Sequence, residues 1–298
     1  MRVDPQYMTN VVSALDQTTT TQQQLTEELS TGVSITQLSD NPAAVGQNVS
    51  LSASIAAEDQ YSQTSSSAQG MLQVADSALG SVVTQLTSAI SVATEANNGT
   101  ENAADEQSFA SQLSGIRDEV LSLANTSYMG QYLFSGSLNT QPFTLNTATS
   151  PASVTYNGDE SVNTVVTPDG QSIALNIPGD QIFMQSGASV LGALNQLIAD
   201  YSSGSGTAGQ VDISQLNTAL NYVSQQRVQI DNSLSRLSAT ATEAQTQSTQ
   251  LQSAQTNLMQ ADLAQVSVQL QNSETQQAAL TQIFASLSGK SLFDSLQN

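Results

Sequence analysis

The run LNTALNYVSQQRVQIDNSLSRLSATATEAQTQSTQLQSAQTNL, residues 216–258, sets how the rest of the chain must be arranged. Leu216, Leu220, Val223, Arg227, Ile230, Leu234, Leu237, Ala241, Ala244, Ser248, Leu251, Gln255 and Leu258 follow one another in steps of four and three. That is the spacing of a helix that packs along a single seam. No proline or glycine interrupts it. At about 1.5 Å per residue the run predicts a helix roughly 65 Å long, whose seam needs partner helices elsewhere. A second run follows, Leu263, Val266, Leu270, Ser273, Gln277, Leu280, Phe284 and Leu287, and its first glycine comes after it, at Gly289.

The partners lie upstream. Met8, Val11, Leu15, Thr18, Gln22, Leu25 and Leu29 repeat the same steps and predict one amphipathic helix from about Asp4 to Thr31, closed by Gly32. Its length matches the 263–287 run, so the two chain ends are expected to pair antiparallel. Ser39-Asp40-Asn41-Pro42-Ala43-Ala44 reads as the start of a second helix, with Asp40 as an ordinary cap and Pro42 just inside. That helix is expected to reach about Ala96. Its seam is weak from Asp59 to Gly70 and clear at Leu72, Ala75, Leu79, Val82, Leu86, Ala89 and Ala93. Asn97-Asn98-Gly99-Thr100 turns the chain, and Phe109, Leu113, Ile116, Val120 and Leu123 mark a third helix ending near Gly130.

From Gln131 the period changes. Tyr132-Leu133-Phe134-Ser135-Gly136 and Val154-Thr155-Tyr156-Asn157-Gly158 each read as a strand entering a turn. Residues 162–167 and 171–177 flank Pro168-Asp169-Gly170 as a hairpin. Helix returns from Ser189 to Tyr201, and a Ser/Gly linker at 202–210 leads into the long run. The expected fold is mainly α. It is an elongated antiparallel helical bundle or coiled coil of N- and C-terminal segments with a small β-rich insert. The expected domains are a terminal coiled-coil assembly domain (1–38 with 259–298), a helical rod (39–130 with 189–258) and the insert (131–188).

Composition narrows the function. Of 298 residues only 10% are charged, and 25 acids against 5 bases leave a net charge of -20. Too few cations are present to displace phosphate counterions, which argues against nucleic acid, and the charge opposes docking on anionic lipid. There is no Cys, His or Trp. Disulfides, thiolate metal sites, cysteine nucleophiles and the usual general base are therefore absent from the repertoire. No catalytic, cofactor-binding or metal site is expected. No apolar run approaches a membrane span, and Met1-Arg2-Val3-Asp4-Pro5 lacks the apolar core of a secretory signal.

The motifs that could carry chemistry dissolve in context. Gly204-Ser-Gly206-Thr-Ala-Gly209 has G-x-G-x-x-G spacing, but follows a helix where the nucleotide motif needs a strand, so it reads as linker. Ser288-Gly289-Lys290-Ser291 lacks the earlier glycine of a phosphate loop and reads as a helix cap. Glu27-Glu28 reads as a solvated face, and Asp159-Glu160 offers too few oxygens for a firm calcium site. Asn48, Asn98 and Asn125 open glycosylation-like triplets, which arise often by chance in a chain this rich in Asn, Ser and Thr.

Leu29-Ser30-Thr31-Gly32 followed by Ser39-Asp40-Asn41-Pro42-Ala43 resembles the N-terminal signature of the bacterial flagellin superfamily. Tyr132-Leu133-Phe134-Ser135-Gly136 and the ending Leu287-Ser288-Gly289-Lys290-Ser291-Leu292-Phe293-Asp294 are most similar to the flagellin-like hook-associated proteins of the hook–filament junction. Asn41 stands where that family commonly has a second Asp. The resemblance implies a secreted structural subunit of the bacterial flagellum, exported unfolded and assembled in a ring. Its implied partners are other copies of itself, the neighbouring hook-associated junction protein, filament flagellin, the export apparatus and an export chaperone. Filament flagellin is the near alternative, and a coiled-coil adhesin or secretion tip protein the remote one. The assembly seam would comprise Met8, Val11, Leu15, Leu25, Leu29, Leu263, Val266, Leu270, Leu280, Phe284 and Leu287. Helices this short with half-polar seams are marginal alone. Residues 1–32 and 262–298 are therefore expected to be largely disordered in the free monomer and to fold on assembly.

Overall fold

The structure, a computed structural model, describes residues 5–35, 37, 41–97, 102–204 and 209–296, with side chains over the same ranges except 5, 209–210 and 287–296. In chain order the helices are α1 (Pro5–Thr31), α2 (Pro42–Ala96), α3 (Ala103–Ala124), α4 (Gly179–Phe183), α5 (Val190–Ser202), α6 (Gly209–Met259) and α7 (Leu263–Leu296). Between α3 and α4 come three antiparallel ribbons, β1–β2 (Ser127–Tyr128, Gln131–Tyr132), β3–β4 (Phe143–Asn146, Ser153–Tyr156) and β5–β6 (Thr164–Val166, Ser172–Ala174). The mainly helical class and the β-rich insert match the sequence expectation. The backbone divides into two compact units, Met1–Ala56 with Gln247–Asn298, and Ala57–Thr246.

In the unit spanning 57–246 the seam of α2 is longer than its apolar letters suggest. Tyr61, Ser65, Ala68, Leu72, Ala75, Leu79, Val82, Leu86, Ala89, Ala93 and Ala96 are all buried, in unbroken steps of four and three. The apparent gap from Asp59 to Gly70 is filled by Tyr, Ser and Ala. On α6 the buried line is Leu216, Ala219, Val223, Gln226, Ile230, Leu237 and Ala244, with Leu220, Arg227 and Leu234 half-buried beside it. The two helices run antiparallel. The Tyr61 hydroxyl meets Thr240 Oγ1, and farther along α2 Asp76 accepts from Arg227 Nε at 2.8 Å and Nη2 at 3.1 Å. That partly exposed bidentate pair raises the Arg227 pKa and fixes register more than it stabilises.

α3 packs against α5, with Phe109 and Tyr201 in ring contact at 6.4 Å. The Tyr201 hydroxyl donates to Ala93 O at 3.1 Å and so ties α5 to α2. Asn102 starts α3 with a capping box: its side chain accepts from Ala104 N and Asp105 N, while Asp105 accepts from Asn102 N. The helix stops at Ala124, earlier than the expected Gly130. Asn125 ends it by behaving like a peptide group, its Oδ1 accepting from Phe143 N at 2.9 Å and its Nδ2 donating to Phe143 O at 3.0 Å. The chain then turns at once through Met129 and Gly130, both at positive φ (51° and 84°), which is the two-residue hairpin geometry.

The insert is organised by aromatic packing rather than by sheet. Phe183 contacts Phe134 and Phe143 edge-on at 5.5 and 5.3 Å, and Phe143 lies 5.2 Å from Tyr156. Of Tyr132–Gly136 only Tyr132 is in a strand. Leu133, Phe134 and Ser135 are buried in irregular backbone, where Phe134 O accepts from Gly179 N at 2.9 Å and from the Tyr156 hydroxyl at 3.0 Å. Burial pushes the Tyr156 hydroxyl up to about 12. Asp159 pins the following turn: Oδ1 accepts from Ser137 N at 2.7 Å and Ser161 N at 3.2 Å, and Oδ2 accepts from the Ser137 hydroxyl. These donors hold its pKa below the usual carboxylate range. Asp159 is thus committed to the turn.

Candidate assembly surface

In the unit formed by 1–56 and 247–298, the two chain ends lie side by side. α1 and α7 run antiparallel, with Gln277 Nε2 donating to Thr19 Oγ1 at 3.2 Å and Leu25 packed against Val266 and Ala261. Gly32, at φ 71°, closes α1 with its N–H on Glu28 O at 2.8 Å. Beyond it Val33 bridges antiparallel to Gln260, Ser34 N donates to Met259 O at 2.7 Å, and Ala261 N donates to Gly32 O at 2.9 Å. These bonds satisfy Met259 O at the end of α6 and Gly32 O just beyond the end of α1. Asp262 starts α7, its Oδ1 accepting from Ala264 N and Gln265 N, both at 3.1 Å.

The start of α2 is capped by Asn41, whose Oδ1 accepts from Ala44 N at 3.1 Å, with Pro42 as the first helical residue. The expected cap, Asp40, lies outside the described residues. α2 meets the end of α6 through uncharged groups: Gln255 Nε2 donates to Asn48 Oδ1 at 2.7 Å and lies 2.8 Å from Ser52 Oγ. The other helix end expected in this unit, a cap at Gly289, does not form; α7 continues to Leu296. A single glycine in a helix costs about 1 kcal/mol and does not by itself stop it.

The predicted seam residues fall into three groups. Val11, Leu25 and Val266 are buried, and Met8, Leu15, Leu270, Leu280 and Phe284 are half-buried. Leu29 and Leu263 are exposed, at 38% and 48%, and the Leu287 side chain lies outside the described residues. Between the apolar positions the buried line is completed by Thr18 and Ser273. Thr18 satisfies its hydroxyl within its own helix, donating to Ala14 O at 2.7 Å. Thr19, Thr20 and Thr21 do the same one turn back.

Two features escaped the sequence reading. An open groove of about 680 Å³ runs between α1 and α7, lined among others by Ala14, Thr21, Gln269, Ala279, Leu280 and Ile283, with no charged residue in its lining. Large apolar side chains also stand off the seam: Tyr7 and Val12 on α1, Val268 and Ile283 on α7, each at least 40% exposed. They interrupt no heptad step, so seam-following cannot find them. Among the described residues no group of acids could hold a metal, and no helix is long and apolar enough to cross a membrane.

Residues 6–139 match the family described as the bacterial flagellin N-terminal helical region. Flagellar hook-associated protein 3 of Salmonella typhimurium is 34% identical over 160 residues, 53% of this chain and 49% of that protein. The chain therefore spans about half the length of this relative. Among solved structures, one described as a flagellar hook-associated protein from Vibrio parahaemolyticus superposes with a TM-score of 0.65 at 21% identity, covering 74% of this chain and all of that one. Bacillus cereus FlgL gives 0.58 at 20% identity, covering 70% of this chain and 99% of its own. At such identities the likeness to these two structures is one of fold. The likeness that these comparisons carry beyond fold is therefore to the bacterial flagellin N-terminal helical region, over residues 6–139.

Proposed function

We propose that this protein is a non-enzymatic structural subunit of the bacterial flagellum that joins hook to filament. It incorporates through the paired chain ends, residues 1–38 with 259–298, while 39–130 with 189–258 serve as a helical rod and 131–188 as a surface insert. The observation that carries the reading is the α1–α7 pair: two helices remote in sequence, bound along a thin seam, with an uncharged groove and off-seam apolar side chains left over. A chain with a net charge of -20 resists contact between free copies. An uncharged groove gives neighbouring subunits a place to meet without opposing carboxylates. The hook-associated relatives favour the junction over other flagellar positions. The implied neighbours are further copies of the chain in a ring, a second hook-associated protein on one side and filament flagellin on the other. Export apparatus and chaperone would handle the unassembled chain.

Electron microscopy of a deletion strain tests this. Hooks without filaments, with unpolymerised flagellin shed into the medium, are expected. Bare hooks without shed flagellin would instead make the chain a filament subunit, and intact filaments would overturn both readings.

A further inference from the structure

Met129 stands at the tip of the β1–β2 hairpin and is 87% exposed, more than any other large apolar side chain among the described residues. It is also the one residue other than glycine among them with a positive φ. A two-residue turn of this kind is built best by Asn-Gly, and a side chain such as methionine in the left-handed region carries backbone strain. Position 129 therefore combines strain with apolar exposure. The tip is nonetheless held firmly. Tyr128 lies so close over α2 that a Cβ on Gly70 would fall 2.7 Å from its hydroxyl, and Leu133 N donates to Thr126 O at 3.1 Å below the turn. Leu133 and Phe134 are buried behind it. The hairpin is a fixed prong with methionine at its point.

A surface that can receive such a prong lies at the same level of α2. Between α2 and α6 an open groove of about 650 Å³ is lined among others by Gln69, Gln73, Leu234, Ser238, Ala239 and Thr242. Leu234 and Ala239 offer apolar contact, and the amides and hydroxyls can pair with the backbone of a turn. Gln69 and Gly70 are neighbours on α2, about 100° apart round the helix, so groove and prong share a level but occupy different faces.

Charge selects the occupant. From Val120 to Gly158 the chain carries no Asp, Glu, Lys or Arg, and the prong lies inside that stretch. The groove lining is uncharged as well, and beside it on α6 Arg236 offsets Glu243. In a chain of net charge -20 these are two faces on which copies can meet without opposing carboxylates. A prong on one face and a receptor on another make a heterologous contact that repeats head to tail, and a contact at one level sets successive copies side by side.

We propose that Met129 of one copy docks in the α2–α6 groove of the next, a lateral contact between the 57–246 units of neighbouring subunits. It rests on the reading of the chain as a self-assembling flagellar subunit and adds a contact separate from the terminal seam.

The chain has no cysteine, so single replacements cross-link only where they are placed. In a strain lacking the parent gene, a tagged Gln131→Cys copy, which keeps Met129, is co-expressed with an untagged Ser238→Cys copy, and isolated flagella are oxidised. A disulfide needs Cβ atoms within about 4.5 Å. Tagged–untagged heterodimer should form with this pair and stay at background when Val228→Cys, at an exposed position of α6 outside the groove, replaces Ser238→Cys. If Ser238→Cys is not incorporated, Gln73→Cys serves on the α2 wall. Met129→Asn suits the turn, so the free chain should unfold at or above the parent's temperature, yet the variant should fall roughly tenfold behind the parent in competition for incorporation. Incorporated copies with no heterodimer above the control, or Met129→Asn competing equally, overturn the contact and leave the proposed function standing. A parent chain absent from flagella overturns that function and the contact with it.

Discussion

Leu270→Asp is the sharpest test of the proposed assembly surface. Leu270 is half-buried against Leu25, Ala261 and Val266, the buried cluster of the terminal unit. Fully burying a leucine stabilises by about 1.5–3 kcal/mol, so a half-buried one contributes about 1 kcal/mol. A carboxylate at the same position adds a desolvation cost of about 1–2 kcal/mol, since the neighbouring side chains are aliphatic and offer it no donor. The pairing of α1 with α7 should weaken by about 2–3 kcal/mol, roughly a thirty- to 150-fold shift. None of this touches the core of the 57–246 unit, whose buried cluster shares no residue with the terminal one. Thermal unfolding of that unit should stay within about 0.5 kcal/mol of the parent, while incorporation into flagella drops to background. Leu270→Met, which keeps volume and apolarity, should assemble nearly as the parent does. Normal incorporation of Leu270→Asp would show that the α1–α7 seam is not what assembly uses. A variant that loses the fold of 57–246 as well would show that the two units do not divide the energetics as their separate cores suggest.

Further outcomes follow from individual contacts. Leu280→Asp, on the same face of α7 and lining the groove, should also block incorporation and leave the chain folded, read by the same assay. Asn102→Ala removes both side-chain bonds of the α3 cap and should lower stability by about 1 kcal/mol in denaturant melts, with the slope unchanged. Gly136→Ala should cost about 3 kcal/mol or more, because φ is 74° and a Cβ would fall 1.9 Å from Asp159 Oδ1; loss of exchange protection across the insert would report it. Replacing the exposed Thr20 and Thr21 together by Ala should favour helix by roughly 1 kcal/mol and raise the circular dichroism signal of the free chain. Truncating 1–32 and 262–298 should raise mean helix content per residue if those ends are disordered in the free monomer, and equal content before and after would contradict that expectation.

The long helices were legible because their seams repeat over many turns, and repetition outweighs any one ambiguous residue. What failed were positions where the seam is built from letters that do not look apolar. Ser65 and Gln226 are buried on α2 and α6, and Arg117 is buried on α3 because its guanidinium folds back onto Asp118 and Ser114. Ala219 was passed over for Leu220, although the smaller residue is the one facing the core. In the insert the governing contacts are long-range and aromatic, so local β-propensity around Leu133 and Phe134 pointed to a strand that tertiary packing overrides. β3 and α4 were missed for the same reason: their residues are placed by Phe143 and Phe183 meeting each other. On the candidate surface the heptad steps located the buried line, whereas the groove and the exposed Tyr7, Val12, Val268 and Ile283 belong to no period at all.

The polar residues on the terminal seam explain how the pairing energy is distributed. Thr18 is buried, yet its hydroxyl is spent on Ala14 O in its own helix, so it avoids a desolvation penalty without adding a bond across the interface. Gln22 Nε2 is buried with no partner among the described residues, a cost rather than a gain. Favourable contact therefore concentrates where Leu25, Ala261, Val266 and Leu270 meet, next to the backbone bridge between Val33 and Gln260. Moving from there toward the chain termini, Val11 is still buried, but Leu280, Phe284 and Met8 are only half-covered. A pair held firmly at one end and loosely at the other closes from the α6–α7 joint outward, because each turn added beyond the cluster brings less burial against the same loss of backbone entropy. On the proposed function, the loosely covered end is where a neighbouring subunit has most to contribute, since the half-exposed Leu280 and Phe284 gain from a second helix what α1 alone does not provide.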